Sequence, residues 1–140
     1  MITVDANISK PEIRIAQSEY ERLVGLANAV SDREPELSDF LLSELERAEV
    51  VPDTQLGDDT IRMGAGVRYV TETGAVRDVV LVYPGEADIS AGKISILTPI
   101  GAALIGLSSG QSIDWQARDG RNHRLTVKSV HFSGVDSQVR

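Results

Sequence analysis

The chain has 140 residues, enough for one domain or two small ones, and 14 Lys and Arg stand against 21 Asp and Glu for a net charge of −7. It has no Cys and 2 His, which excludes disulfides, thiolate metal sites and cysteine nucleophiles and leaves too few ligands for a His-rich zinc centre. Coating a phosphate backbone needs a basic face, so this balance disfavours direct nucleic-acid binding and suits a partner with basic surface.

Residues 1–17 form an N-terminal segment. Met1 to Lys10 has no positive start followed by a long apolar run, so it does not read as a signal peptide. The longest apolar stretches, such as Val79 to Tyr83, are too short to cross a bilayer, and the cytoplasm is the expected compartment. Glu12 to Ile15 alternates and suits a short strand. Tyr20, Leu23, Val24, Ala27 and Val30 then recur at helical steps, with Ser18 and Glu21 spaced as a capping box. Ser31 to Pro35 breaks the pattern, and Pro35 suits a first helical position. A second stripe follows in Leu37, Leu41, Leu45 and Ala48, with Glu36, Asp39, Glu44, Glu46, Arg47 and Glu49 assigned to the other face. The spacing predicts an antiparallel helical hairpin over residues 18–51.

Residues 52–58 are polar, hold Pro and Gly, and read as a linker to a domain spanning 59–140. The period there changes to two. Val67 to Val70, Val76 to Tyr83, Ile94 to Leu97, Ile113 to Ala117 and Leu125 to Phe132 read as five strands, with Leu125, Val127 and Val130 inward. Thr73-Gly74 and Asp119-Gly120 are turn signals. Pro99 to Gly106 suits one short helix. The expected class is α+β: a short helical hairpin, then a small antiparallel sheet domain with one short covering helix.

No dinucleotide glycine pattern, phosphate loop or nucleophile elbow is present. No cofactor and no resident metal are expected. His123 and His131 lie eight apart on one strand, could share a face, and are too distant for one metal, so a structural or exposed role is expected for both. Asp32, Glu34, Glu36 and Asp39 gather at the bend of the hairpin. Two readings stand: carboxylates there could hold Mg²⁺ in another protein's site, or they serve a helix start and solubility. Ile94 to Gly106 also has two readings: a helix that covers the core, with Gly101 allowing close packing, or a Thr98-Pro99 turn exposed as a docking corner.

Thr98-Pro99-Ile100, Ala102-Ala103, Leu104-Ile105-Gly106 and Gly110-Gln111 follow one another in an order and spacing similar to the C-terminal domain of the GreA/GreB transcription elongation factors, a likeness running from about Asp59 to Phe132. Pro11 to Ile15, Tyr20 to Leu23, Glu44 to Ala48 and Leu81 to Pro84 resemble the Rnk-type subgroup, named as regulators of nucleoside diphosphate kinase. The resemblance implies an FKBP-like sheet domain that docks on bacterial RNA polymerase at the rim of its secondary channel. Thr98 and Pro99 are then the docking residues, and Asp32, Glu34, Glu36 and Asp39 the hairpin tip. Leu97 stands where elongation factors of this kind carry an acidic residue, Leu107 where a basic one is common, and the long hairpin of the cleavage-stimulating members is missing. The expected function is non-enzymatic transcription regulation. The rivals are an interaction protein acting on nucleotide metabolism and, with only 2 Phe, 1 Trp and 3 Tyr to line a pocket, a prolyl isomerase.

Overall fold

A computed structural model describes residues 11–116 and 120–131. In chain order it contains strand β1 (Arg14–Ala16), helices α1 (Gln17–Ala29) and α2 (Pro35–Arg47), strands β2 (Glu49–Val51), β3 (Gly66–Thr71), β4 (Val76–Val82) and β5 (Lys93–Ser95), helix α3 (Pro99–Leu104), and strands β6 (Ser112–Gln116) and β7 (Asn122–His131). Ala117, Asp119 and Phe132, included in the expected fourth strand, hairpin turn and fifth strand, lie outside the described residues.

Helix α1 buries Leu23 and Ala27, and α2 buries Leu37, Leu41 and Leu45, so the two apolar stripes meet as a helical hairpin. Pro35 occupies the start of α2, as its fixed φ and missing N–H favour. The expected capping box is not formed. Helix α1 begins at Gln17, with Ala16 as an N-cap that offers no side-chain bond. Ser18 therefore sits inside the first turn and donates its backbone N–H at 3.0 Å, and its hydroxyl, to the Asp53 carboxylate. The cap comes from 35 residues away, out of a 3₁₀ turn at Asp53–Gln55 within the segment expected as a linker. Glu44 also departs from its expected solvent face. It lies three residues from Leu41 on the buried stripe and is 1% exposed, its charge met by Arg47 Nη2 at 2.8 Å. Arg47 also donates to the Pro11 carbonyl, which fastens the start of the described chain to the end of the hairpin.

The main sheet has the order β5-β4-β3-β7-β6. It is antiparallel except at one edge, where β5 runs parallel to β4, which corrects the expectation of a wholly antiparallel sheet. After β4 the chain spends two 3₁₀ turns, Pro84–Glu86 and Ile89–Ala91, returning to the end from which β4 started. Gly92, at φ +76°, then turns it into β5 in the same direction as β4. A second, two-stranded sheet pairs β1 with β2, also in parallel, because the whole helical hairpin lies between them as their connection.

Strand β7 carries a bulge opposite Arg68 and Tyr69, so that Val127 and Val130, three apart, face inward against Tyr69 and Val67. The same extra residue separates the histidines. His123 lines the inner side of the sheet, whereas His131 lies over Gly66 beside Arg68 and Asp78, so they do not share a face.

Helix α3 lies between α2 and the sheet, which is why Gly101, Ala102, Ala103 and Leu104 are all buried. A Cβ on Gly101 would stand 2.3 Å from the Ser95 carbonyl oxygen, so only glycine lets the helix rest on the backbone there. Gly106, at φ +84°, accepts from the Arg14 N–H and donates to the Ile61 carbonyl, joining β1 to the sheet domain. One continuous core results, running from Ile13, Leu23 and Leu41 through Leu104 to Leu81, Ile113 and Leu125. No helix among the described residues is long and apolar enough to cross a membrane.

Candidate functional site

The inner face of the sheet is longer than the helix that covers it. Strand residues point to alternate faces, so the positions inward of the bulge read Val67, Tyr69 and Thr71 on β3 and Leu81, Val79 and Arg77 on β4. On β7 and β6 they read Leu125 and His123, and Ile113 and Trp115. Val67, Leu81, Leu125 and Ile113 lie in the core. Tyr69, Thr71, Arg77, His123 and Trp115 line an open groove of about 620 Å³. Its other wall is Ile94, Ser95, Thr98, Pro99 and Ile100, with Ile89, 87% exposed, on the rim.

The expected docking residues are therefore groove wall. Thr98 is the N-cap of α3: its hydroxyl accepts the Gly101 N–H at 3.0 Å and donates to the Ser95 carbonyl at 2.7 Å. With that hydroxyl engaged at both ends, the contact it offers a partner is its methyl group, next to the Pro99 ring.

The facing wall is rigid. Trp115 and His123 are cross-strand partners and stack with ring centroids 5.4 Å apart. His123 Nδ1 lies 3.0 Å from a Glu72 carboxylate oxygen, whose fellow oxygen accepts the Arg124 N–H at 3.1 Å. The Arg124 N–H first, and then the Glu72 backbone and His123, hold the Glu72 carboxyl below the ordinary range. At the groove floor Tyr69 is 3% exposed, and burial pushes its hydroxyl above the ordinary tyrosine value.

The four hairpin acids do not join this groove. Glu34 is the N-cap position of α2 and Glu36 lies in its first turn, where the helix dipole favours negative charge. Asp32 and Asp39 are exposed on either side of them. Among the described residues no group of three or more His, Asp or Glu side chains is arranged to hold a metal ion.

Sequence reasoning reached one wall of the groove through Thr98 and Pro99 and missed the other. A signal for it was available. Counting back from the Asp119-Gly120 turn signal sets Trp115 opposite or diagonal to His123, and Tyr69 shares the inward parity of Val67.

Two family descriptions match the chain. The C-terminal part of the transcription elongation factors GreA and GreB matches residues 56–132, and the Rnk N-terminus matches residues 11–51. The first covers every strand of the main sheet and both groove walls. The chain belongs to the GreA/GreB family. Within it the chain falls in the Rnk-type group: it is 31% identical over 126 residues to the regulator of nucleoside diphosphate kinase of Escherichia coli K12, covering 89% of this chain and 93% of that protein. It is also 42% identical over 84 residues to the transcription elongation factor GreA of Rhodospirillum rubrum, spanning 54% of that protein's length. A solved structure described as a prokaryotic GreA/GreB elongation factor from Nitrosomonas europaea shares 36% identity and a TM-score of 0.68, covering 88% of this chain and all of that one.

Proposed function

We propose that this member of the GreA/GreB family is a non-enzymatic transcription regulator that docks on bacterial RNA polymerase. The sheet domain, residues 59–140, binds at the rim of the secondary channel through the groove wall bearing Thr98 and Pro99. The hairpin, residues 18–51, enters the channel without stimulating transcript cleavage. The observation that carries this reading is the open apolar groove within the region matched to GreA and GreB, beside the family-like Thr98-Pro99 turn. Reach supports the second half. Helices α1 and α2 have 13 residues each, so the hairpin is only about 20 Å long at 1.5 Å per residue. Oxygen ligands must approach Mg²⁺ to about 2.1 Å, so Asp32, Glu34, Glu36 and Asp39 contribute nothing to a metal they do not reach.

Titration of polymerase with the wild-type chain and with a Thr98→Asp, Pro99→Ala double variant tests the docking. Weaker binding by a folded variant is expected, and equal binding removes this corner from the interface. The wild-type chain should compete with GreA for polymerase and leave backtracked complexes uncleaved. Cleavage that disappears in Asp32→Ala, Glu34→Ala would overturn the reach reading. The name of the Escherichia coli relative favours a second reading, contact with nucleoside diphosphate kinase. A pull-down from bacterial lysate separates the two by the protein that is retained.

A further inference from the structure

The charges of the groove run against the charge of the chain. The molecule is acidic overall, at −7, yet the groove is lined by two cations, Arg77 on β4 and Lys93 on edge strand β5. Neither makes an ion pair within 4 Å with a described residue, although Asp88, the bridge partner of Lys93, feels its charge. The acid that lines the groove, Glu72, is already held by His123 and the Arg124 N–H. Arg77 stands directly across the strands from Tyr69 and is close enough to act on its hydroxyl. The neighbouring outward pair is different: Arg68 is matched to Asp78 at 2.8 Å. Arg77 is exposed on the inward side of the sheet, with no carboxylate at ion-pair distance among the described residues, so it is open to a carboxylate from outside the chain.

We propose that the groove selects a protein segment that is both apolar and acidic. The apolar side chains seat on Trp115, Tyr69 and Ile100, and a carboxylate meets Arg77, with Lys93 adding to the field. Trp115 is the anchor, because its stack on His123, itself held by Glu72, fixes its orientation before the partner arrives. Arg77 sets the specificity, because a lysine or arginine brought to the same place would face an uncompensated like charge. The overall negative charge does not oppose this once the segment is bound, since fields are screened over about 8 Å at physiological ionic strength and the nearest groups dominate. The expectation of a basic partner surface, read from net charge, thus does not extend to the groove. This inference rests on the docking reading only for the identity of the partner, RNA polymerase, and not for the chemistry selected.

Trp115 is the chain's sole tryptophan, so its fluorescence reports on the groove without a label. The probes are two tryptophan-free peptides, one of leucine and glutamate and its counterpart of leucine and lysine, titrated into the full chain. The glutamate peptide should shift Trp115 emission and bind at least about tenfold more tightly than the lysine peptide. Arg77→Glu with Lys93→Glu, both exposed positions, should reverse the preference, and Arg77→Lys should retain it, with circular dichroism showing each variant folded. Equal binding of the two peptides by the wild-type chain, or an unreversed preference in the double variant, overturns the proposal. A polymerase titration tests the docking reading separately. Polymerase that binds the wild-type chain and the double variant equally refutes the groove's selectivity and leaves docking standing. Polymerase that ignores the wild-type chain refutes docking, while the peptide preference still decides the groove.

Discussion

The two ends of one sheet face differ in what covers them. At one end β3, β4, β6 and β7 present Val67, Leu81, Ile113 and Leu125, all buried in the core to which α3 belongs. Two residues along β3, β6 and β7 the same face presents Tyr69, Trp115 and His123, with Arg77 opposite Tyr69 on β4, and there Pro99 and Ile100, at the start of α3, stand across an open groove. Side chains at the sealed end are aliphatic because they meet only other side chains. At the open end they are aromatic and polar, groups that tolerate water yet offer large contact area. The same period-two pattern thus makes a core at one end and a recognition surface at the other.

The largest expected effect breaks the sealed end. Leu104→Ala should cost about 3 kcal/mol of stability in urea denaturation, because the side chain is fully buried between sheet and hairpin. A loss under about 1 kcal/mol would mean that α3 does not close the core. At the open end the balance shifts from folding to binding. Trp115→Ala should lose about 1 kcal/mol of stability with its ring stack. The same change should weaken polymerase binding by about 2 kcal/mol, or roughly thirtyfold. A variant that loses stability but keeps full affinity would show that the open end is merely unfinished core.

A smaller effect probes the joint between hairpin and sheet domain. Asp53→Asn weakens the cap on α1 and should cost about 1 kcal/mol in thermal unfolding at pH 7. The bonds from Ser18 hold the Asp53 carboxyl below the ordinary range. This contribution is fully present above the unfolded aspartate value, about 3.9, and is lost as pH falls through the folded one. The variant and the wild type should therefore converge in acid. Glu19 works in the opposite sense. Burial, only partly offset by the Met63 N–H and Arg62, pushes its carboxyl up, so between the unfolded glutamate value, about 4.3, and the folded one the native chain binds more protons, and stability falls as pH rises. Glu19→Gln should remove that slope. The smallest effect is at the hairpin tip: Asp32→Ala and Glu36→Ala, both exposed, should each change stability by less than about 0.5 kcal/mol. A larger loss would give these acids a structural role that the groove residues lack.

Much of the fold was legible because it follows from local periodicity. Leu23 and Ala27 lie at helical spacing on one stripe and Leu37, Leu41 and Leu45 on a second, and both helices form where that spacing holds. Pro99 was legible as a helix start for the same kind of reason, since a first-turn proline acts within one turn, whereas the Thr98 cap came only with the structure. What failed was capping from a distance, the direction of β5 and the fate of Glu44. Nothing near Ser18 signals that Asp53 will accept its N–H, and nothing in Glu44 signals that Arg47 will meet its charge inside the core.

The amino-acid order by itself determined the two kinds of element, their sequence and the apolar faces they bury, because each depends on residues within a few positions of one another. Only the tertiary structure decided which inward-facing residues become core and which become groove. Arg77, Trp115 and His123 have the same parity as the core residues beside them, and parity does not tell them apart. The difference is that Thr98, Pro99 and Ile100, at the start of α3, stand across an open groove from them. That is a balance among contacts distant in sequence, and it exists only in the folded chain.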